Sequence, residues 1–184
     1  MKELSLNILD ISENSVSAKA SSIDITIEER PEEDLLRISI KDNGCGMEEE
    51  FLKEVTDPFV TTRTTRKVGM GLSLFKEAAE GTGGRFEIQS KKGRGTTVTA
   101  TFGYSHIDRA PLGDMGETIS TLIQCHPDIE LNYYHCYEDR KILFSTEELR
   151  SALEGMPLNN PEVTLWIKEY LNEKIRDLNG GVSL

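Results

Sequence analysis

Four short segments carry side chains and turns that could do chemistry: Asp10-Ile-Ser-Glu-Asn14, Asp42-Asn-Gly-Cys-Gly-Met47, Gly69-Met-Gly-Leu72 and Gly93-Arg-Gly-Thr96. Asn14 offers a neutral amide oxygen, a ligand for Mg²⁺ that adds no negative charge beside a polyphosphate. Asp10 stands one helical turn earlier on the same face, where a carboxylate could orient or deprotonate an attacking water or hydroxyl. Asp42 ends an alternating run, and Gly44 and Gly46 let the backbone approach a flat ligand closely. Gly69 and Gly71 open a helix whose free N–H groups suit phosphate oxygens. Each segment has a plainer reading, as a solvated helix stripe, a hairpin turn or a glycine-rich helix start. Their common order between residues 10 and 96 points instead to a nucleotide site.

The elements that must hold these residues follow from periodicity. From Lys2 to Ala20, Leu4, Ile8, Ile11 and Ala18 share one helix side, while Asn7, Asp10, Asn14 and Ser17 recur on another. Ile23 to Glu28 and Leu36 to Lys41 alternate around a turn at Pro31-Glu-Glu-Asp34, predicting a hairpin that delivers Asp42 at a strand end. A short helix over Glu48 to Val55 comes next. The polar stretch Pro58 to Lys67 reads as a loop, and a helix over Leu72 to Glu80 ends at Gly81. Strands Arg85 to Ser90 and Thr96 to Phe102 flank the turn at Lys92-Gly-Arg-Gly95. Beyond residue 104 the pattern predicts a helix (Asp114 to Gln124), a hairpin (Ile129 to Phe144) and two helices (Thr146 to Glu154, Pro161 to Leu178). Ser145 or Thr146 and Asn160 are the expected N-caps.

Composition narrows the function classes. The net charge of −11 argues against a nucleic-acid footprint, which needs clustered Lys and Arg. Residues 1–104 hold 14 basic and 18 acidic side chains and residues 105–184 hold 7 and 14, so the tail is the more acidic part. Between Asp57 and Glu77 there is no carboxylate, but Arg63, Arg66, Lys67 and Lys76 fall there, a basic segment suited to closing over phosphates. No apolar run is long enough to span a bilayer, and the start lacks an apolar signal-peptide core, so a cytoplasmic protein is expected. Cys45, Cys125 and Cys136 suit reduced thiols rather than disulfides.

Taken jointly, the segments resemble the ATP-binding domain of the GHKL superfamily, which contains gyrase-type topoisomerases, heat-shock chaperones, MutL-type repair ATPases and sensor histidine kinases. Leu9 to Ala18 looks like the N box, closest to its MutL form. Asp42 to Met47 looks like the G1 box, Asp57-Pro-Phe-Val-Thr-Thr-Arg63 like the kinase F box, Gly69 to Leu72 like the G2 box and Gly93 to Thr96 like the closing Gly-x-Gly-Thr. The resemblance covers residues 4–104. It implies an α+β fold of two layers, a mixed, mostly antiparallel sheet with helices on one face; the sequence pattern beyond it adds a small, acidic α/β region over residues 105–184.

For the site, the resemblance implies ATP and Mg²⁺ as cofactors, with Asn14 on the metal, Asp42 on the adenine amino group, Gly44 and Gly46 at the adenine edge and Thr96 beneath it. Gly69 and Gly71 would take the phosphates, and Met47, Thr62, Arg63, Lys67 and Leu72 complete the nucleotide-binding set. Asp10 takes the catalytic place, where many hydrolysing members carry Glu, and Ser17 stands where MutL-type proteins usually carry Asp. Nucleotide binding is therefore more firmly implied than turnover. The first functional expectation is a kinase-like phosphotransferase acting on a separate protein. The second is an ATP-driven clamp, implying a homodimer, and the third is a non-catalytic nucleotide sensor read by a protein partner through the loop or the tail.

Three other features compete for a role. Ser105-His-Ile-Asp-Arg-Ala-Pro-Leu112 matches the kinase phosphoacceptor box at five of eight positions, but lacks the acidic neighbour and the long helix pair. Cys125-His126 and His135-Cys136 could be combined into a zinc set, although adjacent pairs are awkward chelates; core cysteines and exposed histidines are expected instead. Trp166, with Val163, Ile167, Tyr170, Leu171 and Ile175, forms an apolar helical stripe expected to pack on the ATPase unit.

Overall fold

Ile23, Ile25 and Ile27 alternate with Asp24, Thr26 and Glu28, so a strand built from them must bury one face and wet the other. The computed structural model, which describes residues 3–55 and 70–180, forms this strand as β1 (Ser22–Arg30). It pairs antiparallel with β2 (Leu35–Asp42), whose Leu36, Ile38 and Ile40 face the same side. Asp34 takes a left-handed conformation in the connection, and its carboxylate accepts the Ser105 N–H at 2.7 Å.

Around this hairpin lie α1 (Leu4–Ser17), α2 (Glu49–Val55), α3 (Met70–Glu80), β3 (Arg85–Lys91) and β4 (Gly95–Gly103), with β4 antiparallel to both β2 and β3. The later residues form α4 (Met115–Cys125), β5 (Glu130–Tyr137), β6 (Arg140–Ser145), α5 (Thr146–Ala152) and α6 (Pro161–Leu178). The strands join in one sheet of order β3-β4-β2-β1-β5-β6, mixed because β5 runs parallel to β1. The sheet therefore continues across the boundary at residue 104 that composition suggests. Its apolar face and the helices share one core, from Leu4, Ile8, Phe75 and Phe102 to Ile119, Tyr133, Ile167 and Leu171. The expected α+β fold with a mixed, mostly antiparallel sheet is thus the observed one.

The caps work as short polar side chains do at helix starts: Asp114 accepts the Glu117 N–H at 2.7 Å and Asn160 accepts the Glu162 N–H at 2.9 Å. Ser145 occupies the N-cap of α5 without a side-chain bond, while Thr146 receives the Leu131 N–H at 2.9 Å.

One expectation fails among the histidines. His135 is fully buried, not exposed, because both ring nitrogens have partners: Tyr133 Oη at 2.7 Å and a buried Glu29 carboxylate oxygen at 2.5 Å. Tyr104 donates to the other Glu29 oxygen at 3.2 Å. Cys125, expected in the core, is exposed like Cys45, and Cys136 alone of the three is buried. On α6, Val163, Ile167 and Leu171 pack inward, whereas Trp166 lies outside that buried row, half-exposed and stacked on Tyr170 at 4.9 Å.

Burial, followed by the charge of Glu29, pushes the phenols of Tyr104 and Tyr133 above the usual tyrosine range. The folded state holds these protons more tightly than the unfolded chain. The resulting stabilisation is complete below the ordinary tyrosine value of about 10 and is lost as pH rises above it. Alkaline titration followed at 295 nm should therefore show at least the fully buried Tyr133, of the five tyrosines, ionising only together with loss of the circular dichroism signal. Ionisation of all five before unfolding would show that the buried cluster is wrongly described.

Candidate functional site

Asp42 ends β2 opposite Thr96 on β4 and Ile23 on β1, and it is buried. A carboxylate removed from water needs donors, and three converge on it. Ser15, on the last turn of α1, donates to Oδ2 at 2.6 Å. The Gly44 N–H reaches Oδ1 at 2.8 Å, and the Thr96 N–H reaches the same oxygen at 3.3 Å. Helix α1, the turn after β2 and the start of β4 therefore meet at one side chain.

The loop that follows is pinned on both sides. Cys45 N–H donates to the Ala18 carbonyl at 2.8 Å, tying the loop to the end of α1, and Gly93 N–H donates to the Cys45 carbonyl at 2.7 Å. Met47 N–H donates to Ser90 Oγ at 2.8 Å, and that hydroxyl also lies 2.8 Å from Thr96 Oγ1. Lys92 pairs with Glu48 across the same corner. Gly46 has φ +67°, and a Cβ there would run into the Lys91 carbonyl. The two glycine turns are thus locked against each other as well as near Asp42.

Along α1 the other sequence-predicted residues fall as follows. Asn14 is half-buried beside Ser15, and among the described residues nothing hydrogen-bonds its amide. Asp10 is exposed one turn earlier, facing the first turn of α3: a Cβ on Gly71 would lie 3.4 Å from the Asp10 Cβ. Asn7, expected on the polar face, is buried, and Ser17 is exposed. Met47 packs half-buried against the core, and Leu72 is a buried core side chain, which leaves its backbone for any contact with a ligand. Thr62, Arg63, Arg66, Lys67 and Gly69 lie outside the described residues, whereas Lys76 of the basic segment lies on α3. Sequence reasoning missed Ser15 and Ser90. Ser15 follows Asn14 directly, and Ser90 pairs across the hairpin with Thr96, so strand register is the signal that finds it.

The competing features separate from this cluster. Leu35 pairs with Gly103 while Asp42 pairs with Thr96, so His106 lies beyond the far end of β2. At about 3.3 Å per residue, that is roughly 23 Å from Asp42. His126 contacts Glu13 at 3.0 Å and His135 contacts Glu29. Among the described residues no group of three or more His, Cys, Asp or Glu could hold a metal ion.

With this geometry in place, a profile of the histidine kinase-, DNA gyrase B- and HSP90-like ATPase family matches residues 1–106. Sensor histidine kinase WalK of Bacillus subtilis is 37 % identical over 93 residues, covering 48 % of this chain and 15 % of that kinase. Sporulation kinase E of the same organism is 34 % identical over 101 residues, 55 % of this chain and 13 % of that kinase. The chain therefore spans a small part of the curated relatives it matches. Among solved structures, the Aquifex aeolicus MutL ATPase domain complexed with ADP superposes with a TM-score of 0.53 at 18 % identity. That match covers 84 % of this chain and 68 % of the other. The N-terminal domain of a DNA repair protein superposes with a TM-score of 0.55 at 14 % identity, over 79 % and 53 % of the two chains. At these identities the likeness is one of fold.

The two loop glycines give a discriminating test. Gly93 also has positive φ, +78°, but open space where a Cβ would go. Asparagine tolerates this conformation, so Gly93→Asn should change stability by under about 1 kcal/mol in urea unfolding. Gly46→Asn should cost at least about 2 kcal/mol, because the backbone oxygen of Lys91 must move. Equal losses would contradict the described loop packing.

Proposed function

The chain belongs to the histidine kinase-, DNA gyrase B- and HSP90-like ATPase family, and from that premise we propose that its adenine-nucleotide module is a kinase-like phosphotransferase acting on a separate protein, with ATP and Mg²⁺ as its ligands. The observation that carries this reading is the buried Asp42, ringed by three donors and set beside the α1 turn that bears Asn14. Asp42 receives the adenine amino group, Gly44, Gly46 and Met47 face the base, and Thr96 supports it from the strand.

The donor set fits the metal as well as the base. Asn14 presents an amide oxygen on the face of α1 that carries Asp10 one turn earlier, and that amide has no competing bond among the described residues. Asn14 holds Mg²⁺ through its carbonyl oxygen. The ion, when bound, supplies neutralisation of phosphate charge. Gly71 offers its N–H in the first turn of α3, at the positive end of the helix, and Gly69, Thr62, Arg63 and Lys67, outside the described residues, are proposed as further phosphate contacts. Asp10, beside Gly71, orients the attacking group or takes its proton.

Transfer to a separate chain is supported by the place of His106, the histidine with phosphoacceptor-like surroundings. It lies at the opposite end of the sheet, and its Nδ1 accepts the Asp108 N–H at 3.1 Å. The kinase relatives support phosphotransfer in general. A second reading, an ATP-hydrolysing dimer clamp, is favoured by one observation. The MutL likeness reaches over 84 % of the chain, past the 106 residues of the family match. Among the described residues no helix is long and apolar enough to cross a membrane. A cytoplasmic site of action is part of the same proposal.

Incubation with γ-labelled ATP, alone and with lysate from the source organism, separates the readings. Label on another protein supports the kinase, free phosphate without labelled protein supports the clamp, and neither product despite measurable affinity supports a nucleotide sensor. By calorimetry, Asn14→Ala should lose at least about tenfold of the Mg²⁺-dependent ATP affinity. Asp42→Asn should weaken ATP by about tenfold to a hundredfold. Unchanged affinity in both variants would place the site elsewhere.

A further inference from the structure

We propose that Ser15 is a positioning residue for nucleobase selection: it fixes Asp42 as an acceptor, so the site takes a purine with a donor at position 6 and rejects a 6-oxo purine. This rests on the reading of Asp42 as the base-recognising group.

The argument is a count of protons and lone pairs. Ser15 is 3 % exposed, and its hydroxyl has one hydrogen to give. The candidate acceptors are Asp42 Oδ2 at 2.6 Å and the Ile11 carbonyl at 3.4 Å. The shorter contact has the length of a charge-assisted O–H···O⁻ bond, so the proton goes to Asp42. Gly44 and Thr96 N–H groups occupy Oδ1. A carboxylate has about four lone-pair directions, so three donors leave one acceptor direction, on Oδ2. A 6-amino group donates into it. A 6-oxo group sets lone pair against lone pair.

Ser15 also sets where that direction points. Among the described residues its bond is the side-chain hydrogen bond that joins α1 to β2. Without it, Oδ2 has no partner on the helix, and the carboxylate is free to turn about its Cβ–Cγ bond. That turn lets the preference against a 6-oxo purine fall while weakening the hold on a 6-amino purine. Ser15 needs no contact with the nucleotide to do this; it acts through Asp42.

The test compares affinities of the full chain for ATP and inosine triphosphate, both with Mg²⁺, by calorimetry. The wild type should prefer ATP, Ser15→Ala should reduce that preference roughly tenfold, and Ser15→Thr should restore most of it. Ser15→Val has the shape of threonine without the hydroxyl and should behave like Ser15→Ala. A Ser15→Ala preference within twofold of wild type, or equal behaviour of the Thr and Val variants, overturns the proposal while leaving the nucleotide site standing. A wild type that binds neither nucleotide, or both alike, overturns the reading of Asp42 together with this proposal.

Discussion

The burial of one carboxylate, Asp42, constrains more of this molecule than any other interaction. An ionised carboxylate taken out of water costs several kcal/mol unless donors replace the solvent. Here the donors come from three separate elements, α1 through Ser15, the post-β2 turn through Gly44 and β4 through Thr96. None of the three can shift without leaving a buried oxygen short of a bond. The neighbouring glycines follow from the same demand. Gly95 at φ +108° leaves no room for a side chain beside the Asp42 carbonyl, and Gly44 sits too close to the Ala18 carbonyl to carry one. The residues proposed to read the base are therefore also those that hold helix, hairpin and loop in register.

A second buried polar cluster does comparable work at the other end of the sheet. Glu29 of β1 meets His135 of β5, which meets Tyr133, and Tyr104 closes on Glu29 from the segment after β4. The cluster straddles the parallel seam of a sheet whose other pairings are antiparallel. A slip of one residue in that seam would turn His135 to the solvent face and leave the buried Glu29 with Tyr104 as its one remaining partner in the cluster. The tetrad thus specifies how residues beyond 104 add to the sheet, which apolar alternation alone specifies less sharply.

What was legible in the sequence was what is local. Alternation of Ile23, Ile25 and Ile27 against polar neighbours, the turn at Pro31 to Asp34 and the helical period of the tail all depend on neighbours a few residues away, and the elements match. The glycine-framed segments were legible for the same reason, since a positive φ at Gly46 or Gly95 is a local requirement. Ser15 and Ser17 were not distinguishable. Both are small polar residues on α1, and only the approach of β2 decides that Ser15 is buried against a carboxylate while Ser17 faces water. His135 was misplaced because its partner lies 106 residues earlier in the chain. Leu72, grouped with the nucleotide positions by its motif, goes to the core because α3 must bury a face against β3 and β4.

The two ends of the proposed site are built differently, and the difference bears on what each can do. At the base end, the Asp42 carboxylate and the Met47 N–H are each held by named partners, so a ligand meets donors and acceptors already in place and little ordering remains to be done on binding. At the phosphate end, Asp10 is exposed and the Asn14 amide has no hydrogen bond among the described residues, so their rotamers remain free to respond to a metal and a phosphate chain. A carboxylate one methylene shorter than glutamate reaches less far, but a side chain without prior bonds can be aimed, directly or through a water, at no cost in broken contacts. Selection of the base thus belongs to the rigid part of the fold. On the proposed reading, whether bound ATP is split, transferred or merely held turns on these two adjustable side chains on one helix face.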